Sequence, residues 1–285
     1  MDRPNKMEKK LICFDLDGTL NMGDELLPGV KELFQYLVKN KIRYVYLTNN
    51  SSRSKNTYVK RIQGLGLPCT YEDVVTSTDL AIDYVVKKKF KNVYTLGTKD
   101  FKNEVSPYFH LINDEEGKEC DCVLVAFDTE LTYPELNRAC QYLFDGAAFI
   151  GVNKDWRCPI ENNRYIVDCG SICQAIKNTT DRRPYFLGKP SKMMLEVVSK
   201  KYGVAKENMM MVGDRVYTDI MCAVNAKVDS VFVLSGEGTI EDVKKSKGKP
   251  TYILEGSKDL PKLLDILNDD SILDEEAIKQ FGNKY

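Results

Sequence analysis

The sequence predicts an α/β protein built on a parallel sheet. Short β-rich runs alternate with helical periods at both ends of the chain, and polar residues close those runs abruptly. "KLICFDL" reads as a strand, and "PGVKELFQYLVKNK" as a helix beginning at Pro28. "IRYVYLTN" follows as a second strand, and "SKNTYVKRIQGLG" as a helix stopped by Gly64 and Gly66. Such a βαβα order implies parallel strands with helices on the faces of the sheet.

The same rhythm returns later. Helix "SKMMLEVVSKKYG", strand "NMMMVG", helix "TDIMCAVNA", strands "DSVFVL" and "TYILEG" and helix "LPKLLDIL" complete what reads as one sheet with the N-terminal elements. Between them lies a second α/β set: "NVYTLG", "CDCVLVAFD", "PELNRACQYLFDG", "AAFIGVN" and "SICQAIKNTTD". That is enough for a core of its own, so residues 80–184 are expected to form a domain inserted into a core made of 1–79 and 185–285. The stretch after Leu267 is expected to hold a short terminal helix.

Composition narrows the function classes. A chain of 285 residues that is 43% hydrophobic buries a sizeable core, and 41 basic against 42 acidic residues leave a net charge of -1. With no long basic cluster, neither nucleic acid nor a membrane is expected as a partner. "MDRPNKMEKK" precedes only a short apolar run, unlike a signal peptide, so the expectation is a cytoplasmic protein. The nine cysteines are odd in number and form no C-x-x-C pair, and His110 is the only histidine. Reduced, buried thiols are expected rather than a zinc site.

The chemistry sits where strands end. Asp15 and Asp17 close the first strand, Thr48, Asn49 and Asn50 the second, and Gly213-Asp214 the run "NMMMVG". Ligands of open parallel sheets bind outside the carboxyl ends of the strands. Asp219 and Lys189 add a fourth carboxylate and a cation. Clustered carboxylates are costly unless a cation joins them, and oxygen ligands without histidine or thiolate select a hard ion such as Mg2+. One carboxylate can attack phosphorus, while a second with a raised pKa can protonate the leaving oxygen and then deprotonate water. Lys189, the Thr48 hydroxyl and loop N–H groups can neutralise the phosphate meanwhile. Taken singly, each segment reads as a turn or a helix cap; four of them in order at strand ends do not.

"FDLDGTL", "YLTNNSSRS", "LGKPS" and "VGDRVYTDI" closely resemble the four signature motifs of the haloacid dehalogenase (HAD) superfamily. The long insert between the second and third resembles the type-two cap of class IIA, the NagD-like and para-nitrophenyl phosphatase group, as do Thr76-Ser77, "FDTELTY", "GAAFIGVNKD" and "SICQAI". The resemblance covers about residues 10 to 265 and implies a Rossmann-like parallel core with an inserted α/β cap. It implies Asp15 as nucleophile, Asp17 as general acid and base, and Thr48 and Lys189 as holders of the phosphoryl group, with Gly18, Asn49 and Asn50 lining the same loops. It also implies Mg2+ at Asp15, Asp17 (through its backbone carbonyl) and Asp214, with Asp219 supporting that shell or orienting Lys189.

The implied activity is hydrolysis of a small phosphorylated metabolite. A phosphomutase, or a phosphoryl-accepting module without turnover, is the alternative; a dehalogenase would be expected to lack Asp17. Cap-mediated homodimers occur in the group, so a homodimer is a further option. Asn153, Asp155, Trp156, Arg157 and Ser171 are the cap candidates for contact with the leaving group. The chain departs from the group at Met221-Cys222-Ala223, where a glycine is usual, and at Asp168-Cys169-Gly170.

Overall fold

A computed structural model describes residues 9–112, 119–160 and 164–268. The chain divides into two compact units: Met1–Leu47, Val59–Val74 and Pro190–Tyr285 make the first, Thr48–Tyr58 and Val75–Lys189 the second. The second is thus wider than residues 80–184, because Thr48–Tyr58 and the helix after Thr76 cluster with it.

The first unit is organised by a six-stranded sheet in the order Tyr252–Leu254, Asp229–Val233, Met209–Gly213, Leu11–Phe14, Arg43–Thr48, Val74–Thr76. Neighbouring strands from Tyr252–Leu254 across to Arg43–Thr48 pair in parallel. Leu11–Phe14 and Met209–Gly213 are buried throughout, which is why they read as continuous apolar runs rather than alternating ones. The helix Val30–Lys39 buries Val30, Leu33, Phe34 and Leu37, one stripe at helical spacing. Phe34 stacks on Tyr46 at 5.6 Å between ring centroids and meets Phe14 at 5.5 Å. The helix begins two residues after Pro28, because Gly29 stands at φ 79 as its N-cap.

Expectation and structure differ at "TDIMCAVNA", which is not a single helix. Val216–Ile220 forms a π-turn, and only Met221–Ala226 is α-helical. Cys222 and Ala223 are fully buried, and the Cys222 thiol donates to the Ser191 carbonyl at 3.1 Å, so this departure from the group is absorbed by packing.

The second unit has a five-stranded parallel sheet in the order Tyr185–Phe186, Ala148–Gly151, Cys122–Val125, Asn92–Leu96, His110–Leu111. Helices Tyr133–Phe144 and Cys169–Thr180 pack Leu143, Ile172 and Ile176 against Leu96, Val123, Val125 and Phe149. Among the elements that went unassigned from the sequence are the helices Ser77–Lys88 and Lys99–Val105 and the antiparallel hairpin of Arg157–Ile160 with Arg164–Val167. Both helices carry a cap signal, Thr76 with Asp79 in a reciprocal capping box and Thr98 accepting from the Phe101 N–H.

All nine cysteines are free thiols, seven of them buried. Among the described residues no helix is long and apolar enough to cross a membrane. The terminal helix expected after Leu267 falls, beyond Asn268, outside the described residues.

Candidate active site

The register of the first unit's sheet places Phe14 opposite Val212, so the chain leaves both strands at the same edge, with Asp15 and Asp214 the first acidic residues beyond them. The Asp15 N–H still donates to the Val212 carbonyl at 2.9 Å, which fixes its backbone to the sheet. Asp219 comes from the π-turn, a wider coil that recurs at functional sites. One carboxylate oxygen each from Asp15, Asp214 and Asp219 lie within 4.8 Å of one another, with Asp214 and Asp219 1% exposed.

Backbone and glycine geometry hold this cluster. Asp214 Oδ2 accepts the Glu237 N–H at 2.7 Å, and Asp219 Oδ2 accepts the Arg215 N–H at 3.1 Å. The Arg215 guanidinium pairs with the Glu237 carboxylate at 3.0 Å and so ties the two loops together. A methyl group added at Gly213 would stand 2.3 Å from the Asp219 Cβ, and one at Gly236 would stand 2.0 Å from Asp214 Oδ2. Gly18 is required twice over: its φ is +88, and its added Cβ would lie 2.5 Å from Asp214 Oδ2. Three buried or half-buried carboxylates in a cradle that a single Cβ would fill suit a small hard cation with oxygen ligands, and no thiol or imidazole joins the set.

Asp17 is not part of that carboxylate cluster. The strand ends at Phe14, so the two aspartates are not strand neighbours facing one way, as their spacing suggests; the chain turns at Leu16, whose carbonyl accepts from the N–H groups of Thr19 and Leu20. The Asp17 carboxylate instead accepts from Arg61 at 2.9 Å and from the Asn21 amide at 2.9 Å. Sequence reasoning missed Arg61, Asn21, Gly236 and Glu237. A signal existed only for the last two, since "SGEG" follows the strand end of "DSVFVL".

The remaining predicted residues lie in the second unit. Thr48 closes its strand, and its hydroxyl accepts the Asn50 N–H at 3.1 Å. Asn50 in turn accepts from the Ser52 N–H and hydroxyl, a local turn. Asn49 and Lys189 meet directly: the Asn49 amide donates to the Lys189 carbonyl at 2.9 Å and accepts the Lys189 N–H at 2.8 Å. Of the cap candidates, Asn153 and Asp155 are 0% and 2% exposed and bond to each other at 2.9 Å. Trp156 is exposed, Arg157 lies 4.0 Å over the Tyr165 ring, and the Ser171 hydroxyl donates to the Trp156 carbonyl.

Known proteins resemble the chain along most of its length. Residues 12–108 match the family described as haloacid dehalogenase-like hydrolase, and residues 186–260 match a second HAD hydrolase-like family. The acid sugar phosphatase of Staphylococcus aureus strain MRSA252 is 31% identical over 85% of this chain and 93% of its own length. The crystal structure of 4-nitrophenylphosphatase from Thermotoga maritima superposes with a TM-score of 0.83 at 36% identity, covering 89% of this chain and 96% of that one. Glycerol phosphate phosphatase of Mycobacterium tuberculosis, solved with calcium, gives a TM-score of 0.80 at 27% identity over 88% of this chain and 74% of its own. The chain belongs to the haloacid dehalogenase-like hydrolases, in their NagD-like and para-nitrophenyl phosphatase group, and is a phosphatase of that superfamily.

Proposed function

We propose that this protein hydrolyses small phosphomonoesters through an aspartyl-phosphate on Asp15, in a divalent-metal site that takes Mg2+. The observation that carries the reading is the convergence of the Asp15, Asp214 and Asp219 carboxylates within 4.8 Å at the carboxyl edge of a parallel sheet. Asp15, Asp214 and the backbone carbonyl of Asp17 would hold the ion, with Asp219 supporting it. When bound, it supplies positive charge that lets an anionic carboxylate approach an anionic phosphate.

The other steps fall to the chain's own groups. An Asp15 carboxylate oxygen attacks phosphorus, and the bond to the leaving oxygen breaks as Asp17 protonates that oxygen. Asp17, now ionised, takes a proton from water, which attacks the phosphoryl group and returns Asp15 as a free carboxylate. Arg61 and Asn21 keep the Asp17 side chain in one place between these two roles. Thr48 and Lys189, with Gly18, Asn49 and Asn50, bind the phosphoryl oxygens and spread the developing charge.

The substrate class is a small phosphorylated metabolite, and residues 80–184 act as the cap that selects its leaving group. Phosphorylated sugars and polyols head the panel, because relatives carry the names acid sugar phosphatase and glycerol phosphate phosphatase. The test is acid quenching during turnover followed by peptide mass mapping. A phosphoryl adduct on the peptide holding Asp15, accumulating in Asp17→Asn, supports the reading; an adduct elsewhere, or none under steady turnover, refutes it.

A further inference from the structure

We infer that Asp155 is a positioning residue for Lys189, acting through the side-chain amide of Asn49; this rests on the phosphoryl-holding role proposed for Lys189. The Asn49 amide pairs with both backbone polar groups of Lys189, accepting its N–H at 2.8 Å and donating to its carbonyl at 2.9 Å. That two-point contact fixes the peptide planes on either side of the Lys189 Cα, and with them the direction in which its side chain departs. Lys189 is 2% exposed and Asn49 7%, so water does not stand in for either bond.

An amide has two faces that look alike in shape and opposite in chemistry. Turned over, Asn49 would set its oxygen where it now donates and its NH2 against the Lys189 N–H, losing both bonds. Asp155 prevents this: its Oδ2 accepts the second Asn49 proton at 2.7 Å, and a carboxylate can only accept. Charge-assisted bonds of this kind are roughly twice as strong as neutral ones. The space is cut to fit, since a methyl group at Gly188 would lie 2.5 Å from the Asn49 oxygen.

Asp155 is anchored in turn. The same Oδ2 accepts from the Asn153 amide at 2.9 Å, and that amide also donates to Asp168, the N-cap of helix Cys169–Thr180, at 3.0 Å. Asn153 accepts from the Ser51 hydroxyl at 2.9 Å, and Ser51 accepts the Phe127 N–H at 2.9 Å. A buried polar chain thus runs from a helix cap to the lysine, with Asp155 as the link that dictates how Asn49 faces.

The experiment measures kcat and KM on 4-nitrophenyl phosphate with Mg2+ for wild type, Lys189→Met, Asn49→Ala, Asp155→Leu, Asp155→Asn and the Asn49→Ala/Asp155→Leu double variant. Asp155→Leu keeps the branched shape, though not the size, without the acceptor and should lower kcat/KM about 10–100-fold, the scale of a misplaced catalytic group. The loss should divide between kcat and KM in the proportion seen for Asn49→Ala. Asp155→Asn, which retains an acceptor oxygen, should recover most of it, and the double variant should be no worse than Asn49→Ala alone.

Wild-type-like kcat/KM in Asp155→Leu while Lys189→Met is crippled overturns the inference and leaves the reading of Lys189 standing, as do additive losses in the double variant. Wild-type-like activity in Lys189→Met overturns the reading of Lys189 and the inference with it. If Asp155→Leu lacks a cooperative melt, Asp155→Ala carries the same test, removing the acceptor without pressing methyl groups onto Asn49.

Discussion

Gly236→Ala probes the carboxylate cluster without replacing a carboxylate. The added methyl would stand 2.0 Å from Asp214 Oδ2, 2.4 Å from its Cγ and 2.5 Å from its Cβ, all well inside ordinary contact. Asp214 is 1% exposed and tied at Oδ2 to the Glu237 N–H, so its side chain has no free volume into which to swing. Relief therefore requires moving either the Gly236 loop or the carboxylate by about 1 Å, and such overpacking costs about 1–3 kcal/mol. A displacement of that size at a reacting site lowers turnover about 100-fold.

The assay pairs a thermal melt at increasing Mg2+ with phosphate release from 4-nitrophenyl phosphate. The variant should melt lower, need more Mg2+ for the same upward shift, and turn over far more slowly. Gly64→Ala, where an added methyl meets nothing, is the control and should match wild type in Mg2+ response. A Gly236→Ala protein with wild-type Mg2+ response and rate would refute the reasoning.

Two further predictions concern the second unit. The Glu104 carboxyl is raised from 4.5 to about 7, chiefly by burial; the Asp79 and Asp100 charges push the same way, and the Lys55 N–H and ammonium oppose them. The folded state thus holds that proton more tightly than the unfolded chain, so this group's contribution to stability falls as pH rises from 4.5 to about 7. Glu104→Gln keeps an acceptor for the Lys55 N–H and should be flat over that window, melting above wild type at pH 8 by the equivalent of about 1–3 kcal/mol, with partial exposure favouring the lower end. An unchanged difference in melting temperature between about pH 5 and about pH 8 would count against it. Thr76→Ala removes the hydroxyl that accepts the Asp79 N–H at 3.1 Å and should cost about 1 kcal/mol by chemical denaturation; no loss would mean the capping box is energetically idle.

Much of the core was legible because its strands are buried on both faces and its helices carry one apolar stripe, as in Leu11–Phe14 and Val30–Lys39. Ser77–Lys88 and Lys99–Val105 escaped because their cap signals precede weakly periodic stretches. The hairpin at Arg157 escaped because its strands are largely exposed and lack alternation. Asp15, Asp214 and Asp219 could be placed on one edge from strand order alone. The partner Arg61 of Asp17 could not, since it lies in a helix 44 residues further on and nothing in its own neighbourhood marks it. The partners of Asn153 and Asp155 were equally illegible, since they are long-range groups such as Asn49 and Ser51, which satisfy these polar side chains in the interior.

The central claim is that Asp15 is the nucleophile of a metal-dependent phosphatase. The most direct measurement is phosphate release from 4-nitrophenyl phosphate and a panel of sugar and polyol phosphates, with Mg2+ and with excess EDTA, by wild type and by Asp15→Asn. The account predicts release by wild type with Mg2+, none with EDTA, and none from a folded Asp15→Asn, whose amide is nearly isosteric but cannot form the acyl phosphate. Release by Asp15→Asn at a rate near wild type would contradict it.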